Sequence, residues 1–315
     1  MTTVETALRE AREAALAHMV KAGLAGLTWS EPAVTEIYLA SAHGKMRSVA
    51  FNSHEEPTTG ADWLWWCVDG AGEAFGMLVQ AKRIHWNPTR ATFDFTHRIG
   101  EARVLQFDRL VEAADVLGVP PVYALYCGDP AERRGLRCSR MHRQDECEAC
   151  SPATVSLVSE LAVRQYLTTT VAPADDVLQY GVPAEYISRE NIDHWATLWL
   201  SEFAADPELE RFLLEPQDGA RRVARHVFEV VARARYGQLE LATADQAAEQ
   251  LTDARVFRQL PSDTGHFSEP YFETILRGLR SAPPDYVAAL IAGENLGATD
   301  VPGPVDGVAV LTLDS

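Results

Sequence analysis

Two apolar runs joined by one polar turn constrain this chain more than any other feature. Trp63-Leu-Trp-Trp-Cys-Val68 and Ala74-Phe-Gly-Met-Leu-Val-Gln-Ala-Lys82 flank Asp69-Gly70-Ala71-Gly72. Aromatic and aliphatic residues around a glycine-rich turn read as a β-hairpin. Centring the turn on Ala71 pairs Trp66 with Gly76, Leu64 with Leu78 and Asp62 with Gln80. Directly opposed residues share a face, and Lys82, two positions beyond Gln80, shares it too. The hairpin thus predicts a carboxylate, an amide and an ammonium together. A slip of one residue would set Asp62 against Val79 and scatter them.

Around the hairpin, residues 5–23 have the spacing of an amphipathic helix ended by Gly23, and a second helix starts after Ser30 with Glu31 and Pro32 in its first turn. A strand is predicted over 45–52, a helix over 101–117 and a short buried strand over 121–127. Beyond residue 150 the pattern predicts helices over 152–168, 190–204, 218–236, 243–257, 269–280 and 284–292, then a strand over 307–313 returning to the sheet edge. The expected class is α/β (α+β), with a core over 1–127, a Cys- and Arg-rich segment over 128–150 and a mainly helical region over 151–315.

Composition removes several functions. No apolar run approaches the length of a membrane span, so no membrane partner is expected. Glu5, Glu10 and Glu13 near the start are unlike a signal peptide, which points to the cytoplasm. There is no phosphate-cradling Gly-x-x-x-x-Gly-Lys, no Gly-x-Ser-x-Gly and no His-Glu-x-x-His. With 28 Lys and Arg against 45 Asp and Glu, the net charge of −17 disfavours non-specific nucleic-acid binding. Residues 80–143 are the exception, with eleven Lys and Arg against seven Asp and Glu. A phosphate-binding site belongs there.

The hairpin trio suits metal-assisted phosphodiester hydrolysis. Mg²⁺ (or Mn²⁺) takes few protein ligands, and Asp62 with the amide oxygen of Gln80 and the carbonyl of Ala81 supplies hard oxygens. Lys82 suits the attacking water or the negative charge that develops at phosphorus. Glu56, ahead of the strand, and Glu36, on the helix expected beside it, are candidates to complete the metal shell.

These residues resemble a family. An acid, an Asp at a strand start and a hairpin into Gln-x-Lys resemble the PD-(D/E)XK restriction-like nucleases, in the Gln-x-Lys variant found among modification-dependent restriction enzymes and antiviral effector nucleases. Glu56-x-x-Thr59-Gly60-Ala61-Asp62-Trp63 with Val79-Gln80-Ala81-Lys82-Arg83 is also similar to a bacterial family with that core. The resemblance covers about residues 30–127. It implies a restriction-endonuclease-like mixed sheet flanked by helices, and a Mg²⁺-dependent nuclease acting on DNA in bacterial defence. Asp62 would be the metal ligand, Gln80 would stand in the usual acidic position, Lys82 would be the catalytic lysine and Gln106 would match a glutamine of several branches. An activating partner subunit or a homo-oligomer is expected to compensate the acidity.

A second constellation lies beyond the core. Cys138, His142, Cys147 and Cys150, with Cys127 as a substitute for His142, have the spacing of a structural Zn²⁺ shell. Free buried thiols, or a redox pair at Cys147 and Cys150, are the alternatives. Arg133, Arg134, Arg137, Arg140 and Arg143 share the segment and, with Arg83, read as contacts to a phosphate backbone or as a solvated loop. The rival to a nuclease is a non-catalytic, zinc-containing binding or regulatory protein that keeps the same fold.

Overall fold

The computed structural model describes residues 3–51, 63–86, 90–100, 102–128, 130–133, 147–168, 172–189, 207–234, 256–257, 271–303 and 305–314. Thr3 and Ser30 each turn a side-chain oxygen onto the third backbone N–H ahead, at 3.2 and 3.4 Å. Those caps start α1 (Val4–Leu24) and α2 (Glu31–Ser41), the latter with Pro32 in its first turn, where a missing N–H is harmless. There follow β1 (Met46–Ala50), β2 (Trp63–Val68), β3 (Ala74–Arg83), the short strands β4 (His85–Trp86), β5 (Ala91–Phe93), β6 (Arg98–Ile99) and β7 (Val104–Leu105), then α3 (Gln106–Leu117) and β8 (Pro121–Tyr126). After α4 (Pro130–Arg133) come β9 (Val155–Ser159), α5 (Glu160–Val163), β10 (Ala172–Pro173), α6 (Ala174–Leu178) and β11 (Val182–Pro183). The chain ends in α7 (Pro207–Leu214), α8 (Gly219–Ala234), α9 (Tyr271–Leu276), β12 (Leu279–Arg280), α10 (Asp285–Ala292) and β13 (Gly307–Thr312).

The main sheet is mixed and runs β1-β13-β2-β3-β8-β9-β11, with β12 also paired to β3. Helices flank both faces. Trp65, Met77, Val79 and Val122 meet α1, α2, α8 and α9 on one side, and Leu64, Trp66, Leu78 and Tyr123 meet α3, α6 and α10 on the other. A buried bond of 2.8 Å between the hydroxyls of Thr35 and Tyr126 ties α2 to the first side. Among the described residues no helix is long and apolar enough to cross a membrane.

The hairpin has the expected register, with Trp63 facing Val79, Leu64 facing Leu78 and Trp66 facing Gly76. Asp69 shapes the turn: its Oδ1 accepts from the backbone of Ala71 and Glu73 at 2.9 and 3.0 Å. Gly76 is fixed by its partner. A Cβ there would stand 2.7 Å from the Trp66 ring, which lies across the glycine. Gly76→Ala is expected to destabilise the protein by about 1–3 kcal/mol, the cost of overpacking a tight core, read as a lower denaturant midpoint at unchanged m-value.

Three expectations are corrected. Residues 152–168 are not one helix, because a 3-10 turn over Ser151–Thr154 leads into β9, a strand inside the sheet. β13 is a strand as expected, but it lies between β1 and β2 rather than at an edge. Strands from both halves therefore build the sheet, which is not confined to residues 1–127. The predicted helices over 190–204 and 243–257 fall wholly or almost wholly outside the described residues.

Candidate active site

β3 is buried along both faces as far as Lys82 and ends at half-buried Arg83. Alternation sends Gln80 and Lys82 to the α3 side, while Val79 and Ala81 face α1 and α2. Apolar strands on both sides hold this segment: β2 pairs antiparallel and β8 parallel, with Gln80 beside Tyr123 and Lys82 beside Leu125. Two polar side chains are thereby driven into a core that the sheet itself dictates.

Their surroundings differ. Lys82, 8% exposed, donates from Nζ to Oε1 of Gln106 at 2.7 Å. Gln106 opens α3, and its backbone N–H is anchored on the carbonyl of His97 at 2.9 Å. Gln80 is 1% exposed, and neither Oε1 nor Nε2 has a hydrogen-bond partner. The hydroxyl of its neighbour Tyr123 is also buried and unbonded, and the Tyr123 ring packs edge-on to Phe95 with centroids 5.0 Å apart. Burial first, then nearby Glu160, push that hydroxyl far above the usual tyrosine value. Three bonding atoms left dry on adjacent strands are costly, at about 1–3 kcal/mol for each unsatisfied group.

The structure brings together Gln80, Lys82 and Gln106. It does not bring Glu36 to them, since Glu36 is exposed on α2, the helix that covers the opposite face. Asp62 and Glu56 lie outside the described residues. Two acids that the sequence did not single out stand closer. Glu31, at the start of α2, accepts the backbone N–H of Arg83 at 2.8 Å. Asp94 follows β5 and holds the N–H and hydroxyl of Thr96 on Oδ1 at 2.8 and 2.9 Å. Burial raises the Asp94 carboxyl, but the two Thr96 bonds and the charge of Lys82 outweigh it and hold the group below its ordinary value. Neither acid shares a local motif with Gln-x-Lys; only the folding of β4 and β5 brings Asp94 to Lys82.

The gathered groups suit a hard cation and an oxyanion. An unbonded buried amide oxygen is the neutral ligand such a cation takes, and a partly desolvated ammonium is a strong partner for phosphate.

The arginine expectation divides. Arg133 is 2% exposed and donates to the carbonyl of Cys127 at 2.6 Å, so it braces the start of its segment from inside and is no phosphate contact. Arg83 is half-buried, with its guanidinium on the carbonyl of Trp29 at 2.9 Å. Arg134, Arg137, Arg140 and Arg143 lie outside the described residues, as do Cys138 and His142. Cys127 and Cys150 are buried, and the carbonyl of Cys147 accepts from the backbone of Cys150 and Ser151, both at 2.9 Å. Among the described residues no group of three His, Cys, Asp or Glu side chains is placed to hold a metal ion. Cys127, Cys147 and Cys150 therefore do not form a shell by themselves.

Neither a curated protein nor a solved structure matches the chain. Residues 2–313 match the family of unknown function DUF6615, and the chain belongs to that family.

Proposed function

We propose that the chain is a Mg²⁺-dependent nuclease that hydrolyses phosphodiester bonds, with DNA as its substrate. The observation that supports this most is Gln80: an amide sealed in the sheet with both polar atoms unbonded, two residues from a buried lysine on the same face. Polar groups in such positions are expensive unless a task retains them. Gln80 and Asp62 would hold the cation, with Asp94 as the acid within electrostatic reach of Lys82. When bound, the cation polarises the phosphoryl oxygen and lowers the pKa of a water.

The protein's own part is positioning. Gln106 fixes the direction of the Lys82 ammonium through the 2.7 Å bond. That charge receives a non-bridging oxygen of the phosphate as negative charge builds there. The apolar layer of Phe95, Phe107 and Leu125 keeps bulk water from screening it. Zinc enters only as a structural staple of residues 128–150, on Cys147 and Cys150 with Cys138 and either His142 or Cys127.

Purified protein incubated with plasmid is expected to cut in Mg²⁺ or Mn²⁺ and to stop in EDTA. Asp62→Ala should lower the rate by at least about 100-fold, in keeping with loss of a charge-stabilising group. Plasmid binding with no cleavage in any divalent metal would leave the non-catalytic binding protein as the surviving account.

A further inference from the structure

Five large hydrophobic side chains stand exposed among the described residues, and four of them line a single cleft. They are Val20 (42%), Leu24 (85%), Leu27 (67%) and Trp86 (59%). The cleft has a volume of about 560 Å³ and opens between the end of α1, the link into α2 and the passage from β3 to β4. Exposed apolar residues are normal when scattered, but gathered at one concavity they mark a binding site.

Charge and position indicate the occupant. Arg83 and His85 line the cleft, and among its described residues there is no carboxylate, although the chain as a whole carries −17. The cleft opens where β3 ends: Arg83 directly follows Lys82, and alternation turns its side chain to the α1 and α2 side. Arg83 is held there at both ends, by its backbone N–H on Glu31 and by its guanidinium on the carbonyl of Trp29. Trp86 lies on β4, which pairs with β5 through Trp86 and Ala91, so the strand fixes the backbone beneath an open indole. A flat aromatic surface beside the Arg83 guanidinium is complementary to a nucleotide: the ring stacks a base, and the guanidinium meets its phosphate.

We infer that this cleft stacks an unpaired nucleobase of the strand whose phosphate Lys82 engages, so that the preferred substrate is single-stranded or locally opened nucleic acid. Bases in an intact duplex are stacked on their neighbours and cannot enter without the cost of opening. This inference rests on the nuclease proposed above, and it supplies that enzyme with a substrate class.

The test uses the full chain carrying Lys82→Met, which keeps the ligand uncut. Fluorescence anisotropy then compares a labelled 12-nucleotide single strand with its blunt duplex in Mg²⁺. Adding Trp86→Ala is expected to weaken single-strand binding by about 5- to 150-fold, the range for one base stacked on an aromatic ring. Duplex binding should change by less than about twofold, and Trp86→Phe should retain most of the single-strand affinity. Equal losses on both ligands, no loss, or no single-strand binding by the parent would each overturn the inference. So would a dimer by sedimentation that Trp86→Ala dissociates, since a second copy would then fill the cleft. Failure of the nuclease itself reads differently: the wild-type chain would not cut in any metal, while Trp86-dependent single-strand binding would persist.

Discussion

Lys82→Met is expected to lower metal-dependent cleavage by on the order of 10²–10³-fold while leaving the protein as stable as wild type or slightly more so. The two outcomes share one cause. An ammonium at 8% exposure has lost most of its hydration, and Oε1 of Gln106 accepts a hydrogen bond from it. Methionine fills nearly the same space without that desolvation cost. Gln106 is half-buried, so water reaches the oxygen that Lys82 leaves behind, and the loss there is about 1 kcal/mol or less. For the reaction, however, an oriented positive charge at developing negative charge contributes about 3–4 kcal/mol, and a thioether contributes none. Gln106→Leu separates aiming from charge. It should cost about tenfold by itself and nothing further when added to Lys82→Met, because the two act as one unit. Full activity in Lys82→Met would remove the basis for the proposed chemistry.

What the sequence disclosed divides along the range of the interactions involved. The hairpin was legible because its register is set locally: Asp69 closes the turn, and Trp66 needs a glycine opposite. The alternation that puts Gln80 and Lys82 on one side was legible for the same reason, and Gln106 followed from the resemblance. β9 was hidden because Val155-Ser-Leu-Val-Ser159 is buried on both faces, which erases the apolar–polar period of two, and Ser151-Pro152 ahead of it imitates a helix start. The placing of β13 between β1 and β2 joins residues more than 200 apart and leaves no local mark. Glu36 was a candidate because its helix was expected to pack beside the strand, but the sheet stands between α2 and the Gln80 side. Arg133 read as one of five arginines that contact a phosphate backbone or form a solvated loop; its burial against the Cys127 carbonyl depends on where the chain leaves β8.

Gln80→Met should raise stability and sharply weaken the response to metal. In wild type both polar atoms of the amide are buried without partners, and a thioether of similar length has no such atoms. Relief of that penalty is expected to add about 1–3 kcal/mol to the free energy of unfolding, visible as a higher denaturant midpoint and a melting point raised by a few degrees. An ordinary core glutamine would be hydrogen-bonded, and its replacement would destabilise. The direction of the change is therefore informative before any activity is measured. Mg²⁺ supplies the second readout. If the Gln80 oxygen ligates the cation, Mg²⁺ at 100 times its dissociation constant should stabilise the wild-type chain by about 2.7 kcal/mol, and the variant by much less. Gln80→Glu should move the other way: a carboxylate buried at that site is destabilising without metal, binds the cation more tightly and shows the larger Mg²⁺ shift. A Gln80→Met variant with unchanged melting and an unchanged response to Mg²⁺ would mean that the amide is neither strained nor a ligand. A more stable and inactive variant with a much weaker response to Mg²⁺ is the result expected if the dry amide is kept in the sheet for the cation.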